Sequence, residues 1–202
     1  MTVIGITGQS GSGKSLLAAD LAKRGYLHAD ADAIYHSLLE TSEPMRAELV
    51  AAFGEDILRE GKIDRRALAA KVFGKQNAKK LKALNKITHK YVCRECVRLL
   101  CAAKDAGEKG VLLDAPLLIE ARLDRLCDLV VCVFAPEEVR LARITARDGV
   151  SKVEALRRLR AQPSAAFYAE KCDFAFYNGG DAAAAEAAAN EIDRIAVGEA
   201  NA

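Results

Sequence analysis

The sequence predicts an α/β protein built on a parallel five-stranded sheet flanked by helices, and three observations lead there. The apolar run Val3-Ile4-Gly5-Ile6-Thr7 passes without a spacer into Gly8-Gln9-Ser10-Gly11-Ser12-Gly13-Lys14-Ser15, and Leu16 to Lys23 then carries a helical pattern. This is G-x-x-x-x-G-K-S between a strand and a helix, where loop and helix N–H groups can cradle phosphate. Gly110-Val111-Leu112-Leu113 and Leu129 to Phe134 are continuous apolar runs, which call for cover on both faces, as in a parallel sheet. Ser42 to about Ala106 reads as almost wholly helical and interrupts the strand pattern. The expected architecture is P-loop NTPase-like. Its core is 1–41 with 107–202, its inserted helical substrate domain is 42–106, and an arginine-rich lid occupies about 140–168 within the core.

Along the chain, Gly25 to Ala29 is a second short strand that delivers Asp30-Ala31-Asp32 at its carboxyl end. Ligands of open parallel sheets bind beyond that rim, so both aspartates are expected beside the phosphate loop. Ile34 to Leu39 is a helix, Met45 to Phe53 is another stopped by Gly54, and Asp64 caps a third that ends at Phe73 before Gly74. Gln76 to Ala103 is long and amphipathic, with Leu81, Leu84, Ile87, Tyr91 and Val92 toward its core. Lys82, Lys86, Lys90, Arg94 and Arg98 recur every four residues. That row drifts about 40° per step, so it winds around the helix as a solvated face. The third strand ends in Asp114-Ala115-Pro116, and the fourth stops at Ala135-Pro136. Glu137 to Arg147 and Ser151 to Arg160 are helices parted at Asp148-Gly149. Phe174 to Tyr177 is the fifth strand, and an Ala-rich helix runs from Asp181.

A chain of 202 residues, 51% hydrophobic and 29% charged, is expected to form a soluble globular domain with an insertion. No apolar stretch approaches the ~18 residues of a membrane span. The motif begins at Gly8 and leaves no room for a signal peptide, so the expected compartment is the cytoplasm, with no membrane partner. Cys93-x-x-Cys96 lacks the second pair that a zinc site needs. With Val92, Val97, Leu100 and Cys101 it reads as the buried side of a helix, its cysteines reduced. Charge is uneven: Arg59 to Lys109 hold fifteen Lys/Arg against five Asp/Glu, whereas Asp173 onward holds six acidic residues and one basic. A basic middle suggests an anionic partner, small or polymeric.

The loop chemistry names its residues. Gly8, Gly11, Ser12, Gly13, Lys14, Ser15 and Leu16 form the nucleotide site: the backbone closes on phosphates, Lys14 reaches the β/γ-phosphates and Ser15 offers a hydroxyl to Mg²⁺. Asp114, ending a run of apolar residues, is placed as a Walker B carboxylate for the same ion. Ala115 follows where many P-loop motors carry a water-activating glutamate, and N-K-x-D is missing because Asn85-Lys86-Ile87-Thr88 lacks the aspartate. Motor ATPases, including nucleic-acid-binding ones, and GTPase switches are therefore disfavoured. Asp30 and Asp32 stand near the expected path of the γ-phosphate. A carboxylate there accepts or orients a hydroxyl proton, or helps organise Mg²⁺, although Asp32 also suits a helix cap. Arg140, Arg143 and Arg147 fall at i, i+3 and i+7, with Arg157, Arg158 and Arg160 beyond Asp148-Gly149, which suits a lid that brings positive charge to a transferring phosphoryl group.

These residues resemble the dephospho-coenzyme A kinase family over nearly the whole chain. The likeness rests on Ile4 to Gly8, Gly11 to Ser15, Asp30-Ala31-Asp32 with Ile34 and His36, and Phe53-Gly54. It continues through Gly61, Ile63-Asp64-Arg65, Leu68, Val72-Phe73, Thr88-His89, Pro116 to Glu120, Arg143 with Arg147, Arg158 with Gln162, and Asp173 with Asn178. The resemblance implies a nucleotide core, a helical coenzyme domain and a lid, with ATP phosphorylating the ribose 3′-hydroxyl of dephospho-coenzyme A. It implies Asp32 as base, Arg143 and Arg147 in the lid, and Asn178 near adenine. Asp30, Arg65, His89, Pro116 and Leu117 go to the acceptor. Gln9-Ser10, Lys90, Arg140 and Tyr168 depart from the commoner family residues Gly-Ile, proline, glutamine and lysine. Within enzymes the alternative is another P-loop kinase of a nucleoside, nucleotide or small metabolite.

Overall fold

A computed structural model describes residues 1–199. Five strands make the main sheet: β1 (Thr2–Gly8), β2 (Tyr26–Asp30), β5 (Gly110–Asp114), β6 (Leu129–Phe134) and β7 (Phe174–Tyr177). All pairings are parallel, in the order β2-β5-β1-β6-β7, which puts the phosphate-loop strand in the middle. The continuous apolar runs explain it: β1 and β6 are buried at every residue. Two helices, α1 (Lys14–Lys23) and α9 (Ala182–Glu199), cover one face. Leu17, Leu21, Ala185, Ala189 and Ile192 pack there on Ile4, Ile6, Leu112, Val131 and Val133. On the other face Gly5 lies under Leu118 and Cys127, where an added Cβ would approach Cys127 Sγ to 2.6 Å. That glycine is a packing residue.

Four further helices and a small hairpin follow β2: α2 (Ala31–Thr41), α3 (Glu43–Phe53), strands β3 (Leu58–Arg59) and β4 (Lys62–Ile63), α4 (Arg65–Val72), and α5 (Ala78–Asp105). Ser42 caps α3 by accepting from Met45 N at 3.3 Å, and Asp64 caps α4 by accepting from Arg66 N at 2.8 Å. Leu39, Met45, Leu49, Phe53, Ile57, Leu68, Val72 and Leu84 gather into a second core. The chain accordingly divides into two compact units, one of Met1–Asp30 with the chain from Leu100 onward, the other Ala31–Leu99. The sequence placed these limits at 41/42 and 106/107. Leu39 takes α2 into the helical core, and α5 runs through its boundary without a break.

The sequence reading of α5 needs one correction. Val97 and Cys101 are exposed, while Leu84, Val92, Cys96 and Ala103 are buried. The buried positions follow the helical period, and Val97 and Cys101 sit about 100° and about 140° round from Cys96. The rest of the core unit contains α6 (Glu137–Asp148), α7 (Lys152–Arg160) and α8 (Ala165–Ala169). Ile144, Ala155 and Leu159 form a small core of their own between α6 and α7. No helix among the described residues is long and apolar enough to cross a membrane.

Candidate active site

Strand β1 and helix α1 set the phosphate loop, and backbone geometry dictates two of its glycines. Gly8 leaves the sheet at φ 135°, and a Cβ there would lie 2.2 Å from the Val133 carbonyl oxygen. Gly13 precedes α1 at φ 93°, where a Cβ would lie 2.1 Å from Asn178 Nδ2. No L side chain fits either place. Ser15 and Leu16 are exposed at the N-terminal end of α1, where the helix dipole favours an anion. Lys14 Nζ donates to the Gly8 carbonyl at 2.9 Å. Ser12 is fully buried inside the loop.

The loop carbonyls are held by two side chains from distant elements. Asn178 follows β7 and is 1% exposed. Its Nδ2 donates to the Ser12 carbonyl at 2.9 Å, and its Oδ1 accepts from Gly180 N at 3.0 Å and Arg143 Nη2 at 3.4 Å. Arg143 Nη1 also donates to the carbonyls of Gly11 at 3.2 Å and Ser12 at 3.1 Å. The tip of the loop is held as well. Gln9 Nε2 donates to the Pro163 carbonyl at 2.9 Å, Gln9 Oε1 accepts from Arg140 Nη1, and Ser10 N donates to Gln162 Oε1 at 3.0 Å. Sequence reasoning missed these tip contacts. The available signals were Arg140 on the helical face of Arg143 and a glutamine at loop position 9.

Register places the carboxylates. Asp114 at the end of β5 lies opposite Ile6 of β1 and Asp30 of β2. Asp114 Oδ2 stands 3.5 Å from His28 Nε2. Burial pushes the Asp114 carboxyl above the usual range, Lys14 and His28 oppose the rise, and Asp30 adds to it. Asp114 and the Ser15 hydroxyl are hard oxygen donors, which suits a divalent cation of the Mg²⁺ type. Among the described residues no group of three or more His, Cys, Asp or Glu gathers into a metal cluster. A cation here would take the rest of its shell from the nucleotide's phosphates and water. Pro116, just past Asp114, accepts from Thr7 Oγ1 at 3.3 Å through its carbonyl, and Leu117 is 47% exposed.

The structure thus gathers Gly8 to Leu16, Asp30, Asp114, Arg143 and Asn178 at the carboxyl rim of one sheet. Arg147 is engaged elsewhere: its Nε pairs with Asp148 Oδ1 at 2.7 Å, and Arg158 Nη1 meets the same carboxylate at 3.0 Å. In the helical unit Asp32 is exposed in the first turn of α2. Tyr35, Arg65, Arg66, Leu68, Val72 and Phe73 line a cavity of about 560 Å³ there. Arg65 Nη2 lies 3.4 Å from His36 Nε2. His89 is half-buried on α5, and burial pushes its pKa down, toward the neutral imidazole.

Fold and site define a class, the P-loop kinases that transfer phosphate from ATP, with a divalent metal, to an alcohol group. The profile of the dephospho-CoA kinase family matches residues 2–184, and the chain belongs to that family. A dephospho-CoA kinase of Corynebacterium efficiens is 40% identical, covering 89% of this chain and 90% of its own. A Thermus thermophilus protein of solved structure is similar at a TM-score of 0.79 and 34% identity, over 96% of each chain. Dephospho-CoA kinase from Campylobacter jejuni gives a TM-score of 0.70 at 25% identity, over 98% of each chain.

Proposed function

We propose that this protein transfers the γ-phosphate of ATP to the ribose 3′-hydroxyl of dephospho-coenzyme A, giving coenzyme A and ADP, the last step of coenzyme A synthesis. The observation that carries the reading is a complete phosphate loop between β1 and α1 in a chain of the dephospho-CoA kinase family. The reaction breaks the bond from the γ-phosphorus to the β–γ bridging oxygen and forms one to the 3′-oxygen. Asp32, exposed in the first turn of α2, accepts the hydroxyl proton. Lys14 leaves the Gly8 carbonyl for the β- and γ-phosphates, Arg143 sets positive charge near the transferring group, and Arg147 joins it by leaving Asp148. Asn178 borders adenine. Ser15 and Asp114 would hold Mg²⁺, which when bound would neutralise charge on the phosphates.

The acceptor goes to the helical unit. Its cavity joins two guanidinium groups, Arg65 and Arg66, to an apolar wall, which suits a coenzyme that carries a pyrophosphate and an apolar arm. His89 of the same unit is read as an acceptor residue too, and in the core unit Asp30, Pro116 and Leu117 carry the same assignment. Both substrates are small molecules, with no nucleic acid or membrane among the partners, and the reaction belongs in the cytoplasm. The test is ATP consumption with and without dephospho-coenzyme A, the product identified by mass. A product one phosphoryl group heavier than the acceptor is expected. Equal use of adenosine or a nucleoside monophosphate would move the assignment to another small-molecule kinase.

A further inference from the structure

Arg140 is the least expected group in the core unit. It is 4% exposed on α6, a helix whose other arginines reach solvent or the loop carbonyls. No carboxylate forms an ion pair with it among the described residues. Burial works against its charge and outweighs the support it receives from the exposed Glu137 one turn away, and the Tyr168 hydroxyl beside it is turned to Glu120 Oε1 at 3.4 Å. Its hydrogen bond goes to a neutral amide, Gln9 Oε1, and its Nε is buried without a partner. A buried charge without an ion-pair partner is costly to the fold.

Its place explains the cost. The phosphate-loop backbone rests on Arg140 itself: a Cβ on Gly11 would lie 2.8 Å from the Arg140 carbonyl oxygen and 3.0 Å from its Cα. Gln9 is fixed at both ends, by Arg140 and by the Pro163 carbonyl. Flipping that amide would set its NH₂ against the guanidinium, so the orientation is locked. We infer that Arg140 is the positioning residue of the phosphate loop and that the polyphosphate of the bound nucleotide adds the counter-charge that the exposed Glu137 supplies only in part. It fixes the height of the loop through Gln9 and adds a permanent positive charge at the loop's support. This rests on the reading of Gly8–Ser15 as an ATP site.

The test compares Arg140→Met, Arg140→Lys and Gln9→Met with the intact protein, by thermal melts with and without MgATP and by steady-state kinetics. Arg140→Met, nearly isosteric along the stem, should melt at the same temperature or higher without nucleotide, because it removes a buried charge that has no ion-pair partner. Its ATP Kd should rise at least about tenfold, as when one member of a buried charge pair is lost. Arg140→Lys should recover most of the ATP affinity. Gln9→Met keeps the charge but frees the loop, so kcat should fall more than ATP affinity. A nucleotide-free Arg140→Met protein that melts lower yet binds ATP as well as the intact protein would overturn the inference and leave the ATP site standing. Absence of any ATP-induced shift in the intact protein would overturn the ATP-site reading and this inference together.

Discussion

Asp30 and Asp32 are two residues apart and have different surroundings. Asp30 closes β2, in register with Asp114, and adds to the rise of that carboxyl. Its charge acts on Asp114, the carboxylate proposed to hold the metal. Asp32 opens α2 in the helical unit. Asp32→Asn should therefore cut kcat at least about a hundredfold with ATP Kd nearly unchanged, the usual weight of general-base assistance. Asp30→Asn should cost less turnover and instead shift the Mg²⁺ dependence. Steady-state kinetics and ATP binding for both variants, each checked by thermal melt, decide the matter; a dead Asp30→Asn beside a normal Asp32→Asn reverses the assignment. The two arginines separate in the same way. Arg143 ties the carbonyls of Gly11 and Ser12, and Arg147 holds a surface carboxylate. Arg143→Ala should weaken ATP binding about tenfold or more, because hydrogen bonds from a charged donor are lost, while Arg147→Ala should lower kcat with ATP affinity kept. Equal ATP Kd in the two variants would contradict that division.

Elements were legible in the sequence wherever one local signal was long enough. The phosphate loop, all five strands, the Asp64 cap and the helix break at Gly149 follow from apolar runs, capping chemistry and turn residues. The hairpin of β3 and β4 was not, because two-residue strands carry no period, and α8 with five residues is too short for one. Asn178 and Arg143 were assigned to ligand, but their hydrogen bonds to Ser12 join residues more than 130 positions apart. No local pattern encodes such a contact. The same holds for the clasp between β2 and α9. Asp193 accepts from the Tyr26 hydroxyl at 2.8 Å and from Lys109 Nζ at 2.6 Å. Burial works against the Asp193 charge, but Lys109 and Tyr26 hold its carboxyl below the ordinary range. Such a group stabilises the fold fully above its unfolded pKa, about 3.9, and loses that contribution as pH falls through the lower folded value. Asp193→Asn should therefore melt about 2–4 °C below the parent at pH 7, the shift for about 1 kcal/mol in a domain of this size. The gap should close below about pH 4. A gap that persists unchanged into acid would assign the effect to packing.

At the scale of the molecule, charge separates the middle of the chain from the stretch after Asp173. The fifteen Lys/Arg between Arg59 and Lys109 face five acidic residues, and Lys82, Lys86 and Arg94 of α5 are exposed. Exposed charges of one sign raise the encounter rate of an anion, and the effect is screened over about 10 Å at 0.1 M salt and about 3 Å at 1 M. kcat/KM for dephospho-coenzyme A should fall severalfold between those concentrations, with kcat nearly constant. Reversing Lys82 and Lys86 to Glu should flatten the salt dependence. A salt-independent kcat/KM would remove steering from the account.

The central place of β1 also dictates an order of birth. Its two neighbours, β5 and β6, lie more than a hundred residues downstream, so the first strand leaves the ribosome with nothing to pair with. At about 5–20 residues per second, translation takes about 5–20 s to deliver β5. During that wait the helices from Ala31 to Leu99 can assemble on sequence-local contacts, which form fastest. Gly8 to Ser15 cannot form a nest until β6 supplies Val133 and the chain from Arg140 to Asn178 arrives to support the loop. A loop synthesised well before its supports is therefore among the last parts to become competent for ATP.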